Sequence, residues 1–172
     1  MAGQLWLLRH GDAEPHGTRP DACRRLTARG ERQSRAAGTA LARMAPGFDR
    51  ILFSPKERAR KTAQLAAAGW SEEQRAALRE HSPLADGFDA RQAREALAGV
   101  PAETGRLLLV GHEPDLSGVI VGLTGGGRLD LKKGGLAMVR LQGPGSELVG
   151  ELAVLLRPRE LALIAGVPID GD

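Results

Sequence analysis

Tyrosine is absent from this chain of 172 residues, and its only aromatic side chains are three phenylalanines and two tryptophans. So few rings weigh against single-strand nucleic-acid binding, which stacks bases on aromatic platforms beside a basic groove. Cysteine occurs once, as Cys23. One thiol closes no internal disulfide, suits a reducing compartment, and excludes zinc or iron–sulfur sites built on several thiolates. Cys23 itself reads as a passive, partly buried thiol. No apolar stretch approaches the ~20 residues that span a bilayer, so no membrane association is expected. No basic segment, apolar h-region or cleavage site precedes the first strand-like run, and the expectation is an unprocessed, cytoplasmic protein. Long charge runs are missing too. The net charge is +3, but acidic residues are scattered among basic ones, which again disfavours a nucleic-acid partner.

What is present is ordinary globular composition, 42 % apolar and 26 % charged. The length is enough for one core and short of what two domains usually need. With no repeat, linker or low-complexity segment, residues 1–172 read as a single domain, monomeric by default.

Short apolar runs alternate with helical patterns. Leu5–Leu8 reads as a first strand. Thr27 is placed to cap a helix reaching about Met44, with Ala37, Ala40, Leu41 and Met44 on one face. Ile51–Phe53 reads as a second strand running into "SPKERARKTA". There Ser54 would cap a helix, with Pro55 at its first position and Glu57 completing a capping box, and Gly69 would end it. Residues 70–89 read as loop. Ala90–Leu97 suggests a short helix, Leu107–Val110 a buried strand, and Asp115 a cap for a helix Leu116–Leu123 that stops at Gly125–Gly127. Gly135–Leu141 and Leu148–Leu156 read as strands joined by a turn at Gly143–Gly145. The tail from Arg157 suggests a short closing helix. Apolar strands separated by helices predict a three-layer α/β/α sandwich, with a mostly parallel central sheet and an antiparallel strand at one edge.

In an open parallel sheet, ligands bind beyond the carboxyl ends of the strands. Three predicted strands end there in polar residues: Arg9-His10-Gly11, then Ser54-Pro55 with Arg58 close behind, then Gly111-His112-Glu113. Two histidines and two arginines converging beside a helix N-terminus suggest an anion site.

The stretches "LLRHGDAE", "DACRRLTARG", "SPKERARKTA" and "LLLVGHEPDLS", in this order and with R-H-G, S-P-x-x-R and G-H each at a strand end, resemble the histidine phosphatase (phosphoglycerate mutase-like) superfamily. The shortness of the chain and "LKKGGLAMVRL" are similar to its small branch, the SixA-type phosphohistidine phosphatases. The resemblance runs from Leu5 to about Leu141. It implies a phosphoglycerate mutase-like fold and a phosphatase that uses a histidine nucleophile and a covalent phosphohistidine intermediate, with no cofactor and no metal.

Phosphoryl transfer asks a protein mainly for positioning and charge neutralisation. On this reading His10 attacks phosphorus through a neutral ring nitrogen while its other nitrogen donates to a carbonyl. Gly11 admits a close backbone approach. Arg9 and Arg58 fork onto the phosphoryl oxygens, and His112 donates a further bond, in one version as imidazolium. The stretch D-x-x-R-x-L-T adds Arg24 as a phosphate ligand, although Arg25 occupies a position often held by proline in this branch and leaves open which of the two points inward. For the leaving-group acid, Glu113 and Asp86 are candidates. His16 and His81 read as loop residues, Lys132 and Lys133 as a charged strand end, and Gly125–Gly127 as a helix cap.

The expected partner is a phosphorylated protein, such as a histidine phosphotransfer domain, or a small phosphorylated metabolite. Three functions are thus in play: a protein phosphohistidine phosphatase, a small-molecule phosphomonoesterase of the same fold, and a non-catalytic phosphate-binding module.

Overall fold

The protein is described by a computed structural model covering residues 3–45, 47–101, 104–143 and 148–168. Its strands are β1 (Gln4–Arg9), β2 (Arg50–Phe53), β3 (Leu78–Glu80), β4 (Arg106–Gly111), β5 (Leu136–Gln142) and β6 (Val149–Leu156). They form one six-stranded sheet in the order β3-β2-β4-β1-β5-β6. The pairs β3–β2, β2–β4 and β4–β1 are parallel, whereas β1–β5 and β5–β6 are antiparallel. The antiparallel edge is therefore two strands wide rather than one. The loop-like reading of residues 70–89 missed the five-residue helix Glu72–Ala76 and the short edge strand β3, which is only three residues long and largely exposed.

The helices are α1 (Ala28–Met44), α2 (Glu57–Ala67), α3 (Glu72–Ala76), α4 (Ala90–Leu97), α5 (Asp115–Thr124) and α6 (Pro158–Ala165). Alternation along each strand decides which helix layer a side chain meets. Leu5 and Leu7 of β1 and Leu107 and Leu109 of β4 pack with Ala93 of α4 and Leu116, Val119 and Ile120 of α5. Trp6 and Leu8, with Leu108 and Val110, pack against Ala37 and Leu41 of α1, Ala59 and Ala63 of α2, and Leu161 of α6. This is the predicted α/β/α sandwich. The central strands are unbroken apolar runs because both of their faces are covered.

Caps repay inspection because they place the site loops. Thr27 caps α1 as expected, its hydroxyl accepting from the Gly30 N–H. Gly125, at φ 83°, ends α5 in the left-handed conformation. Two predicted caps fail. The capping box at Ser54 does not form: α2 starts at Glu57 after Lys56, with no side-chain cap, and Ser54 is spent elsewhere. Asp115 lies inside α5, and its carboxylate accepts from the Phe88 N–H at 3.1 Å. The closing helix from Arg157 is present as α6. The expected turn at Gly143–Gly145 falls, from residue 144 on, outside the described residues.

A close approach ties α1 to the chain just beyond β1. A Cβ on Gly30 would lie 1.9 Å from the Asp12 carbonyl oxygen, and one on Gly11 would lie 2.4 Å from the Gly30 carbonyl oxygen. Gly30→Ala should therefore destabilise the protein by about 1–3 kcal/mol through overpacking. An unhindered Gly→Ala in a helix would instead stabilise it by about 1 kcal/mol. Urea denaturation reads the sign, and a stabilised variant would show that the contact is not restrictive.

Candidate active site

Sheet register builds the site. In the parallel β1–β4 pair, Arg9 lies opposite Gly111. The next residue on each chain is a histidine, and the rings of His10 and His112 stand with centroids 5.1 Å apart. The His10 backbone N–H donates to the Gly111 carbonyl at 3.0 Å. On the other side of β4, Phe53 of β2 lies opposite Val110, which sets Ser54 beside His112. The Ser54 hydroxyl lies 2.7 Å from His112 Nε2. The same hydroxyl accepts from the Lys56 N–H at 3.3 Å, one residue ahead of the first turn of α2.

His10 is only 5 % exposed. Its Nδ1 lies 2.7 Å from the Gly11 carbonyl oxygen. A carbonyl can only accept, so Nδ1 carries the proton and Nε2 is the unprotonated nitrogen. Arg58 Nε donates to that Nε2 at 3.3 Å. Gly11 is anchored in turn: its N–H donates to the Thr62 hydroxyl of α2 at 3.1 Å, and Thr62 donates to the Arg58 carbonyl at 2.8 Å. Burial pushes the His10 pKa down to about 2, against the pull of the Gly11 hydrogen bond and with help from His112, Arg58 and Arg9. Burial likewise lowers His112 to about 3, reinforced by Arg58 and Lys56. Burial and the neighbouring cations thus disfavour the imidazolium form of His112, against the opposing charge of Asp21. His112 Nδ1 is buried without a hydrogen-bond partner among the described residues.

Four cations surround the rings. Arg58, 4 % exposed, reaches Asp21 with both terminal nitrogens: Nη1 donates to the backbone carbonyl at 2.7 Å and Nη2 to the carboxylate at 3.2 Å. Arg24 is buried and donates through Nε to the same carboxylate at 3.0 Å and through Nη1 to the Glu14 carbonyl at 2.6 Å. Arg25 is exposed, so Arg24 is the arginine that points inward. Lys56 Nζ bridges Asp21 at 3.0 Å and Asp86 at 2.7 Å. Arg9, half-buried, donates to the Leu131 carbonyl at 2.8 Å, and its Nε is buried without a partner among the described residues.

Asp21 is the residue the motif reading passed over, although it opens the D-x-x-R stretch. Burial alone would raise its carboxyl, but Lys56, Arg24 and Arg58 together hold it well below the usual carboxylate range. It ties three cations from two elements into one array. Lys56 lay within "SPKER" and was legible by position. Thr62, inside a helix, carried no sequence signal.

The other candidates separate clearly. Glu113 is half-buried, its Oε1 accepting from the Ser117 N–H at 3.2 Å in the first turn of α5. Burial raises its carboxyl pKa, against that hydrogen bond and the charge of Arg9. Asp86 is 82 % exposed and paired with Lys56. His16 is exposed, and His81 rests edge-on against Phe88. Lys133 pairs with Asp12 at 3.0 Å. Cys23 is exposed, not partly buried, because its three-residue 3-10 turn buries none of its side chains. Among the described residues no group of three or more His, Cys, Asp and Glu side chains is disposed to hold a metal ion. No helix among them is long and apolar enough to cross a membrane.

The histidine environments predict an acid-sensitive fold. The unfolded chain binds a proton at each histidine near the ordinary 6.5, whereas folded His10 binds one only near 2. Stability is therefore whole above that range and falls as pH drops from about 6.5, by about 1.4 kcal/mol per pH unit for each such group. Thermal or urea unfolding at about pH 7 and about pH 4.5 should show a shallower pH dependence in His10→Gln than in the native protein. Equal slopes would mean that His10 is not held neutral.

Comparison with known proteins bears on the family and the fold. The family model of the histidine phosphatase superfamily (branch 1) matches residues 5–106. An uncharacterized protein of Picosynechococcus sp. strain PCC 7002 is 33 % identical over 147 residues, 80 % of this chain and 84 % of that protein. The structure described as a phosphohistidine phosphatase SixA from Nakamurella multipartitia superposes with a TM-score of 0.74 at 27 % identity, over 92 % of this chain and 97 % of that one. The protein histidine phosphatase SixA complexed with tungstate gives a TM-score of 0.76 at 23 % identity, over 92 % and 99 %. A structure described as an α-ribazole-5′-P phosphatase from Escherichia coli K-12 gives 0.67 at 21 %, over 92 % and 98 %. With its family model covering more than half of the sequence, the chain belongs to the histidine phosphatase superfamily.

Proposed function

We propose that the protein is a phosphatase whose nucleophile is His10 and whose substrate is phosphohistidine on a protein. The observation that carries the nucleophile is the His10 ring itself, neutral through burial, with Nδ1 tied to the Gly11 carbonyl and Nε2 unprotonated, accepting from Arg58 Nε. Nε2 attacks phosphorus, the bond to the leaving imidazole breaks, and the phosphoryl group passes to His10. Water then attacks the phosphorylated His10 and releases inorganic phosphate. Arg9, Arg24 and Arg58 supply positive field for the phosphoryl oxygens, each charge-assisted hydrogen bond contributing about 1.5–3 kcal/mol. His112, with a buried and unpartnered Nδ1, contributes a neutral donor or acceptor rather than a charge.

Support for the leaving group comes from the carboxyls. Asp21 is held ionised by three cations, so it offers no proton to a departing alkoxide. Imidazole needs less help, because it can be protonated before its bond to phosphorus breaks. Solved structures of the same fold described as SixA point the same way. A second reading, a small-molecule phosphomonoesterase, is favoured by one observation: burial raises Glu113, which would make it a general acid.

The two readings separate by experiment. Incubated with a phosphorylated histidine phosphotransfer domain, the protein should release phosphate, and His10→Ala should lose at least about 10³-fold in rate. An alkaline quench should trap a ³²P-labelled intermediate on the native protein and none on His10→Ala. Glu113→Gln should cost less than about tenfold on phosphohistidine, whereas loss of a true general acid costs about 10²–10⁴-fold. Activity confined to phosphate esters would reject the protein substrate.

A further inference from the structure

A groove of about 790 Å³ runs from Arg9, beside the site, between α1, the turn before β5 and the start of α6. Its walls hold eight Arg or Lys side chains against two Asp. The whole chain carries only +3. The positive charge is therefore segregated here, and the rest of the molecule is net acidic. Helix α1 contributes Arg29, Arg32 and Arg35, spaced three residues apart along one side of the helix. The turn before β5 adds Lys132 and Lys133, and the start of α6 adds Arg157 and Arg159. Both lining carboxylates are already paired, Asp12 with Lys133 at 3.0 Å and Asp130 with Lys132 at 2.5 Å, and Glu160 offsets Arg157 at 2.6 Å. Between the charges lies an aliphatic floor of Ala36, Ala162, Val167 and Pro168, of which Val167 is 42 % exposed.

We infer that this groove docks an acidic, partly aliphatic segment of a partner protein, beside the phosphatase centre. Charge complementarity selects the carboxylates, and the aliphatic floor selects apolar side chains between them. A small polyphosphate would leave that floor unmatched. A nucleic acid would find no aromatic ring among the lining residues on which to stack a base. Arg9 is common to the groove and the surroundings of His10, so a segment seated here brings its protein up to the nucleophile. As the seat of the phosphorylated substrate, the groove rests on the reading above; as a binding site, it is measured without hydrolysis.

Fluorescence anisotropy with the intact protein and a labelled, unphosphorylated peptide of alternating glutamate and leucine tests it. The peptide should bind, and should weaken by about tenfold from low to physiological salt. Its Gln-for-Glu counterpart should not bind. Arg35→Glu with Arg159→Glu should weaken binding at least about tenfold. If that variant does not fold, as judged by circular dichroism, the Gln pair at the same positions should weaken it about threefold. An equal reversal of charge away from the groove, Arg79→Glu with Arg91→Glu, should not match that loss. The inference falls if the glutamate peptide does not bind, if the glutamine peptide binds as well, or if the distant pair weakens binding as much. It falls too if inositol hexakisphosphate or an oligonucleotide binds where the peptide does not. Failure to hydrolyse phosphohistidine would sink the substrate reading and leave these binding outcomes standing.

Discussion

The parallel pairing of β1 with β4 is the constraint on which the site depends. Because Arg9 is opposite Gly111, two histidines that are 102 positions apart in the chain leave the sheet at the same level. A shift of one residue would send one ring to the opposite helix layer, since successive side chains point to opposite faces. Such a slip would also turn Leu5 and Leu7, or Trp6 and Leu8, into the wrong apolar layer. The core that forbids it is thus the same core that aligns the imidazoles. Burial then sets their chemistry. Both rings are held neutral chiefly by burial rather than by any single neighbouring charge.

Around the rings, one carboxylate organises the cations. Asp21 binds Arg24, Arg58 and Lys56, and so holds three long, flexible side chains in fixed positions. Holding them ahead of time reduces the side-chain entropy lost when a phosphoryl group arrives. The positive charge does not stop there. It continues through Arg9 into the groove between α1 and α6, the surface proposed above to dock an acidic segment.

Much of this was legible in the residues. The unbroken apolar runs at Leu5–Leu8 and Leu107–Val110 announced strands covered on both faces, and the polar residues following them marked the site. His10, His112, Arg58 and Arg24 all came out of motif positions, and the structure brings them together. The misses were places where a tertiary contact outcompeted a local one. Ser54 had the pattern of a helix cap, yet its hydroxyl meets His112. Asp115 looked like another, yet it holds the Phe88 backbone. The three residues of β3 are too few to show a period, and they become a strand only by pairing with β2.

The order of the longer elements, the alternation of layers and the residue types of the site were determined by the sequence alone, because periodicity and motif spacing are local properties of the chain. Tertiary structure decided which of Arg24 and Arg25 is buried, which nitrogen of His10 is unprotonated, that burial disfavours a charge on His112, and that scattered basic residues gather into one groove. Each of these depends on what lies opposite a side chain in space, and on how far water is excluded from it. No local pattern records either quantity.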